Sequence, residues 1–132
     1  MEDRRVAYRY RLPLAVVVRR LPLDQGPGEH QAMTRDVSTS GVYFTSGQRL
    51  SVGIKLDLAL TLPPEVTQGS EVVIDAQARV MRVDEQPTDF LNRFGIAAVI
   101  DRFNVSRAAV DFALHKAEHA TDVRRPAATT SG

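Results

Sequence analysis

The strongest constraint on this chain is a period of two. Leu12, Leu14, Val16 and Val18 sit at every second position, and Ile54, Leu56, Leu58, Leu60 and Leu62 alternate with Lys55, Asp57, Ala59 and Thr61. Successive side chains of a strand point to opposite faces, so each run reads as a strand with one buried face. The pattern returns with Val72, Ile74, Ala76, Ala78 and Val80, and again with Phe94, Ile96, Ala98 and Ile100. Turn formers and breakers separate the runs. Asp24-Gln25-Gly26-Pro27-Gly28 reads as a hairpin loop, and Pro63-Pro64 ends a strand because proline cannot donate to a ladder. Strands are predicted over 12–20, 31–38, 41–45, 54–62, 71–83 and 92–100. Six short strands of this kind imply an all-β fold, a closed or nearly closed antiparallel barrel, since closure removes unpaired edges.

The period then changes. From about 104 to 120, Val105, Ala108, Ala109, Phe112, Ala113 and Leu114 follow helical spacing, with Asp101 or Asn104 available as N-cap. Phe112 is expected to lead the packing of this C-terminal helix on the barrel. The expected layout is a flexible arginine-rich loop over 1–11, the barrel and helix over 12–120, and a disordered tail over 121–132. At 132 residues, 43% hydrophobic and 25% charged, the chain suits one globular domain able to bury roughly two-thirds of its unfolded surface.

Several function classes are disfavoured by what the sequence holds. Without cysteine there is no disulfide framework, thiolate nucleophile or Cys-ligated zinc. Even the longest apolar runs, such as Leu14 to Val18, are far too short to span a membrane, and no apolar signal region follows Met1-Glu2-Asp3-Arg4-Arg5. A cytoplasmic protein without membrane insertion is expected. His115-Lys116-Ala117-Glu118-His119 fits H-x-x-E-H, but zinc needs a further ligand and the spacing reads as a solvated helix face. His30 has no evident partner, no phosphate loop or Gly-x-Ser-x-Gly elbow occurs, and the chain is expected not to be an enzyme.

The charge is more informative in its placement than in its sum. A net charge of +1 disfavours bulk binding of duplex nucleic acid. Yet there are fifteen arginines against two lysines, and Arg4, Arg5, Arg9, Arg11, Arg19 and Arg20 fall in the first twenty residues. Guanidinium groups offer a planar fork of donors suited to phosphate and guanine edges. Arg5 and Arg9 form R-x-x-x-R, and Asp36-Val37-Ser38-Thr39-Ser40-Gly41 fits D-x-S-x-x-G. Alone, the second motif reads as a side-chain-capped turn, with Asp36 and Ser38 bonded to local backbone and Gly41 supplying a positive φ or a bulge.

In this order the two motifs resemble the PilZ domain family. The likeness continues through Ser51-Val52-Gly53-Ile54-Lys55-Leu56-Asp57-Leu58 and Arg93-Phe94-Gly95-Ile96 to the C-terminal helix, covering roughly residues 4–118. Ala98 departs where the family often has phenylalanine, and Ser40 where a second glycine is common. The resemblance implies a bacterial receptor for cyclic di-GMP with a six-stranded PilZ-type barrel and a flexible N-terminal arginine loop. It assigns Arg5 and Arg9 to the arginine pair and Asp36, Ser38 and Gly41 to the strand motif. Arg4 before the pair implies binding of a stacked, intercalated ligand dimer. No cofactor is implied beyond this ligand. An unidentified downstream protein is implied, in a process such as motility or biofilm regulation.

The chemistry of the residues agrees. The ligand carries two phosphates and two guanines. Arginine can bond to phosphate or to guanine O6 and N7, whereas Asp36 suits the guanine N1 and N2 hydrogens. Ser38 can donate or accept, and Gly41 admits a flat ring. Tyr8 and Arg82 are secondary candidates. Two other classes compete: a ligand-silent PilZ-like protein-interaction module, and an OB-like barrel for single-stranded nucleic acid. The last expects aromatic platforms, but tryptophan is absent and only 6% of residues are aromatic, so nucleic acid is not expected as a partner.

Overall fold

The computed structural model describes residues 8–21, 29–67, 69–86 and 93–130, with side chains described as far as His119 except at Val66. Its strands are β1 (Ala15–Arg20), β2 (Glu29–Val37), β3 (Gly41–Ser46), β4 (Lys55–Leu62), β5 (Val72–Gln86) and β6 (Arg93–Phe103). They form one closed antiparallel barrel in the order β1-β2-β3-β6-β5-β4. Closure is made by β1 on β4, with Val18 opposite Leu58 and Ala15 opposite Thr61. The hairpin loop expected at 24–28 lies outside the described residues.

The alternating residues fill the interior. Leu12, Leu14, Val16 and Val18 meet Leu56, Leu58, Leu60 and Leu62, each 3% exposed or less. Ile74, Ala76, Ala78 and Val80 from β5 and Ile96, Ala98 and Ile100 from β6 complete the core around Phe44. Val72, also expected inward, is 37% exposed at the start of β5, where the barrel end leaves it uncovered. Leu12 and Leu14 precede β1 proper because Pro13 cannot donate to a ladder. Thr34 secures them instead: its hydroxyl donates to the Leu12 carbonyl and accepts from the Leu14 amide at 2.8 Å. Gly53 takes the positive φ of 94° that the turn into β4 requires.

The described residues also form two helices, α1 (Pro64–Thr67) and α2 (Arg107–Thr130). Three expectations for α2 are corrected. Ser106 is the N-cap, its Oγ accepting from the Ala109 amide at 3.1 Å. Asn104 instead bonds the backbone of Asp75, and Asp101 is held by Arg79. The buried stripe is Val110, Leu114 and Ala117, at helical spacing, while Phe112 is 64% exposed beneath Lys116. A large ring is a poor guide to which face of a helix packs when smaller apolar residues outline a second stripe. Finally, the helical backbone continues to Thr130, ten residues past the expected end at Ala120. No glycine stops the helix there.

Candidate ligand-binding site

The site begins with a phase relation. Tyr10 lies two residues before Leu12 and continues the inward alternation, so it is buried with the core at 3% exposure. Its backbone pairs with the end of β2, the Tyr10 amide donating to the Val37 carbonyl at 2.8 Å and the Val37 amide to Tyr10 at 2.9 Å. The phenol donates to Asp111 of α2 at 2.8 Å. Burial, and then the Asp111 carboxylate, push its pKa up to about 12.

Its neighbours tie the same segment to α2. Tyr8 packs edge-on against Tyr10 at 4.6 Å, and its hydroxyl reaches Glu118 at 3.4 Å. The Arg11 amide donates to the other Glu118 oxygen at 3.2 Å. Residues 8–11, expected from the sequence to belong to a flexible loop over 1–11, make these contacts with the barrel and α2. The apolar anchor that this expectation lacked is Tyr10. Glu118, within the zinc-like H-x-x-E-H spacing, has its oxygens in these contacts, and no group of three metal-ligating residues forms among the described residues.

Because Tyr10 points inward, Arg9 points along the barrel wall. Its guanidinium forms an ion pair with Oδ1 of Asp36. Asp36 is 8% exposed, and Arg35 Nε donates to its second oxygen at 3.1 Å. A carboxylate this covered needs both partners to offset its lost hydration. Arg9 also lies over Gly41: a Cβ built there would stand 3.7 Å from Arg9 Nη2 and 3.2 Å from the Ala98 carbonyl. Gly41 does not have the expected positive φ; what it provides is room. The irregularity in the ladder falls earlier, between Thr34 and Asp36.

The loop between β2 and β3 is shaped by Ser38. Its buried hydroxyl accepts from the Ser40 and Gly41 amides, both at 3.1 Å, and faces Gly41 O and Ser40 Oγ at 3.3 Å. The side-chain-capped turn read from the sequence thus holds for Ser38. It does not hold for Asp36, which bonds arginines instead of local backbone. Arg107 pins the loop from behind, donating to the Thr39 carbonyl and, at 3.0 Å, to Asp101 O.

Beside Asp36 an outward row crosses the sheet: Asp36 faces Tyr43, Tyr43 faces Ala97, and Ala97 faces Arg82. Ala97 and Gly95 leave the Tyr43 hydroxyl a clear path to Asp84, to which it donates at 3.2 Å. Burial and the Asp84 bond both raise the Tyr43 pKa. Arg82 Nε, at 3.1 Å, holds Asp84 below the usual carboxylate range.

Of the six residues assigned from sequence, Arg9, Asp36, Ser38 and Gly41 converge, and Arg4 and Arg5 lie outside the described residues. Sequence reasoning missed Tyr10, Arg35, Tyr43 and Arg107. Only Tyr10 had a legible signal, its register with Leu12.

The sequence pattern of the PilZ domain family matches residues 3–104, and the chain belongs to that family. The fold is similar to the motility inhibitor MotI/DgrA of Bacillus subtilis, with TM-score 0.64 and 18% identity over 92% of this chain. This chain spans about half (51%) of that protein's length. The PilZ domain of YcgR from Escherichia coli, solved with c-di-GMP, gives TM-score 0.63 and 16% identity, covering 94% of this chain and 97% of that one. Apo MrkH of K. pneumonia gives TM-score 0.56 and 16% identity, covering 100% of this chain and 55% of that one. No curated protein matches the chain significantly in sequence.

Proposed function

We propose that this chain is a cyclic di-GMP receptor that binds the dinucleotide between its N-terminal arginines and the β2–β3 wall. The carrying observation is the ion pair of Arg9 with Asp36 directly over Gly41. A guanine presents N1–H and N2–H as a planar two-donor fork, suited to the carboxylate that now accepts from Arg9 at Oδ1 and from Arg35 at Oδ2. A guanine edge can take the place of Arg9, leaving Arg9 free to pair with a ligand phosphate. Gly41 leaves space for the flat base, and Ser38 acts by holding the loop open instead of spending its hydroxyl on the ligand. Arg5 adds a second phosphate partner. Arg4, preceding the pair, favours a stacked ligand dimer.

Displacing Arg9 has a mechanical consequence. Tyr8, Tyr10 and Arg11 are bonded to Asp111 and Glu118, so movement of Arg9 reaches α2. That movement is the signal offered to a downstream protein, and the chain acts as an adaptor and not as an enzyme. No helix among the described residues is long and apolar enough to cross a membrane, in keeping with action in the cytoplasm.

Titration calorimetry tests the reading against GTP, cyclic GMP and short single-stranded DNA. Micromolar or tighter binding of cyclic di-GMP alone is expected, weakened by about one to two orders of magnitude in Asp36→Ala, the loss of charge-assisted hydrogen bonds. Two ligands per chain support the Arg4 assignment and one overturns it. Absence of binding favours the ligand-silent module, for which the observation is that Asp36 already has internal partners.

A further inference from the structure

Arg35 and Asp36 are neighbours in a strand, yet their side chains meet. On a regular strand they would point to opposite faces. The register of β2 on β3 slips between Thr34 and Asp36, so Arg35 is the extra residue of a bulge, a device that re-aims a side chain. It is turned onto the outer face that carries Asp36 and Tyr43.

There Arg35 is built into a layered arrangement. Its guanidinium carbon lies 3.9 Å from the centroid of the Tyr43 ring, and Nε donates to Asp36 Oδ2 at 3.1 Å. The ring is fixed in turn, its hydroxyl donating to Asp84 and Asp84 accepting from Arg82. Two anchors at different points therefore hold the guanidinium. Its side chain nevertheless remains 63% exposed, so the guanidinium is not enclosed by these contacts.

We infer that Arg35, held over the Tyr43 ring, is a stacking platform for a purine base of the ligand that Asp36 reads by its edge. This rests on the receptor reading above and adds a contact outside both motifs. A guanidinium plane stacks on an aromatic plane on either side, so tyrosine, arginine and guanine form a continuous pile. An ammonium group cannot take that place, because it carries the charge without the plane. The lining thereby acquires a preference for extended bases that the charged groups alone do not supply.

The test is cyclic di-GMP affinity of the full chain for wild type, Arg35→Lys, Asp36→Asn and the double variant, with far-ultraviolet circular dichroism and thermal midpoint as folding controls. Arg35→Lys should weaken binding by roughly three- to tenfold, and by a similar factor in the Asp36→Asn background. An unchanged affinity in Arg35→Lys overturns the platform while leaving the receptor reading intact. So does an effect that vanishes beside Asp36→Asn, which would make Arg35 a positioning residue for the carboxylate. Failure of wild type to bind overturns the receptor reading, and the platform with it.

Discussion

Gly41 shows how a single absent side chain shapes this site. A Cβ there would lie 3.2 Å from the Ala98 carbonyl, which the β3–β6 ladder holds in place, and close to Arg9. Gly41→Ala is therefore expected to cost about 1–3 kcal/mol, the range for overpacking, read as a lowered urea midpoint with unchanged slope. His30 presents the opposite situation, a polar group enclosed without full compensation. Its Nε2 meets Ser46 Oγ at 2.9 Å, but its buried Nδ1 has no partner. Burial, with the charge of Arg20 adding to it, lowers its pKa below 6.5. The unfolded chain then takes up a proton that the folded chain refuses, so stability is full above pH 6.5 and declines as pH falls through the depressed value. Urea midpoints measured from about pH 7.5 down to pH 5 should fall in wild type and fall less in His30→Gln.

At the scale of elements, α2 and residues 8–11 stabilise each other. Leu114 is fully buried beneath the helix, and Leu114→Ala should cost ~2–5 kcal/mol in chemical denaturation. Tyr10→Phe keeps the buried ring but removes the bond to Asp111, at about 0.5–1.5 kcal/mol. The raised Tyr10 pKa means that its contribution is complete below pH 10 and lost as pH rises through about 12. Ultraviolet titration of the phenols should show a step near pH 12 that disappears in Tyr10→Phe, while the raised Tyr43 remains.

These elements also mark the limits of sequence reading. The strands were legible because burial on one face imposes a period of two, and Leu56, Leu58, Leu60 and Leu62 obey it completely. Tyr10 obeys it as well, yet an arginine-rich neighbourhood hid it. Arg35 was not legible, since a bulge inverts the facing that alternation assigns. The packed face of α2 was misread because Phe112 outweighed Val110 and Ala117 in apparent hydrophobicity. The family likeness assigned Arg9 and Asp36 to one ligand site, but their direct ion pair was not read, as pairing across 27 positions leaves no local trace.

For the whole molecule, the closed barrel is the fixed frame, and in the proposed function the docked N-terminal segment is the moving part. With every strand paired on both sides, a ligand has no free edge to extend, so the response is confined to groups lying on the barrel. In the proposed function, Arg9 leaves Asp36 when cyclic di-GMP arrives above Gly41. Nuclear magnetic resonance follows this directly, through the Arg9 side-chain Nε–H and the Ser40 and Gly41 backbone amides during titration. All three signals should shift together with one saturation curve, matching the calorimetric affinity. A bound ligand that leaves them in place, while resonances on the far wall around Val17 and Ala59 move, would contradict the account.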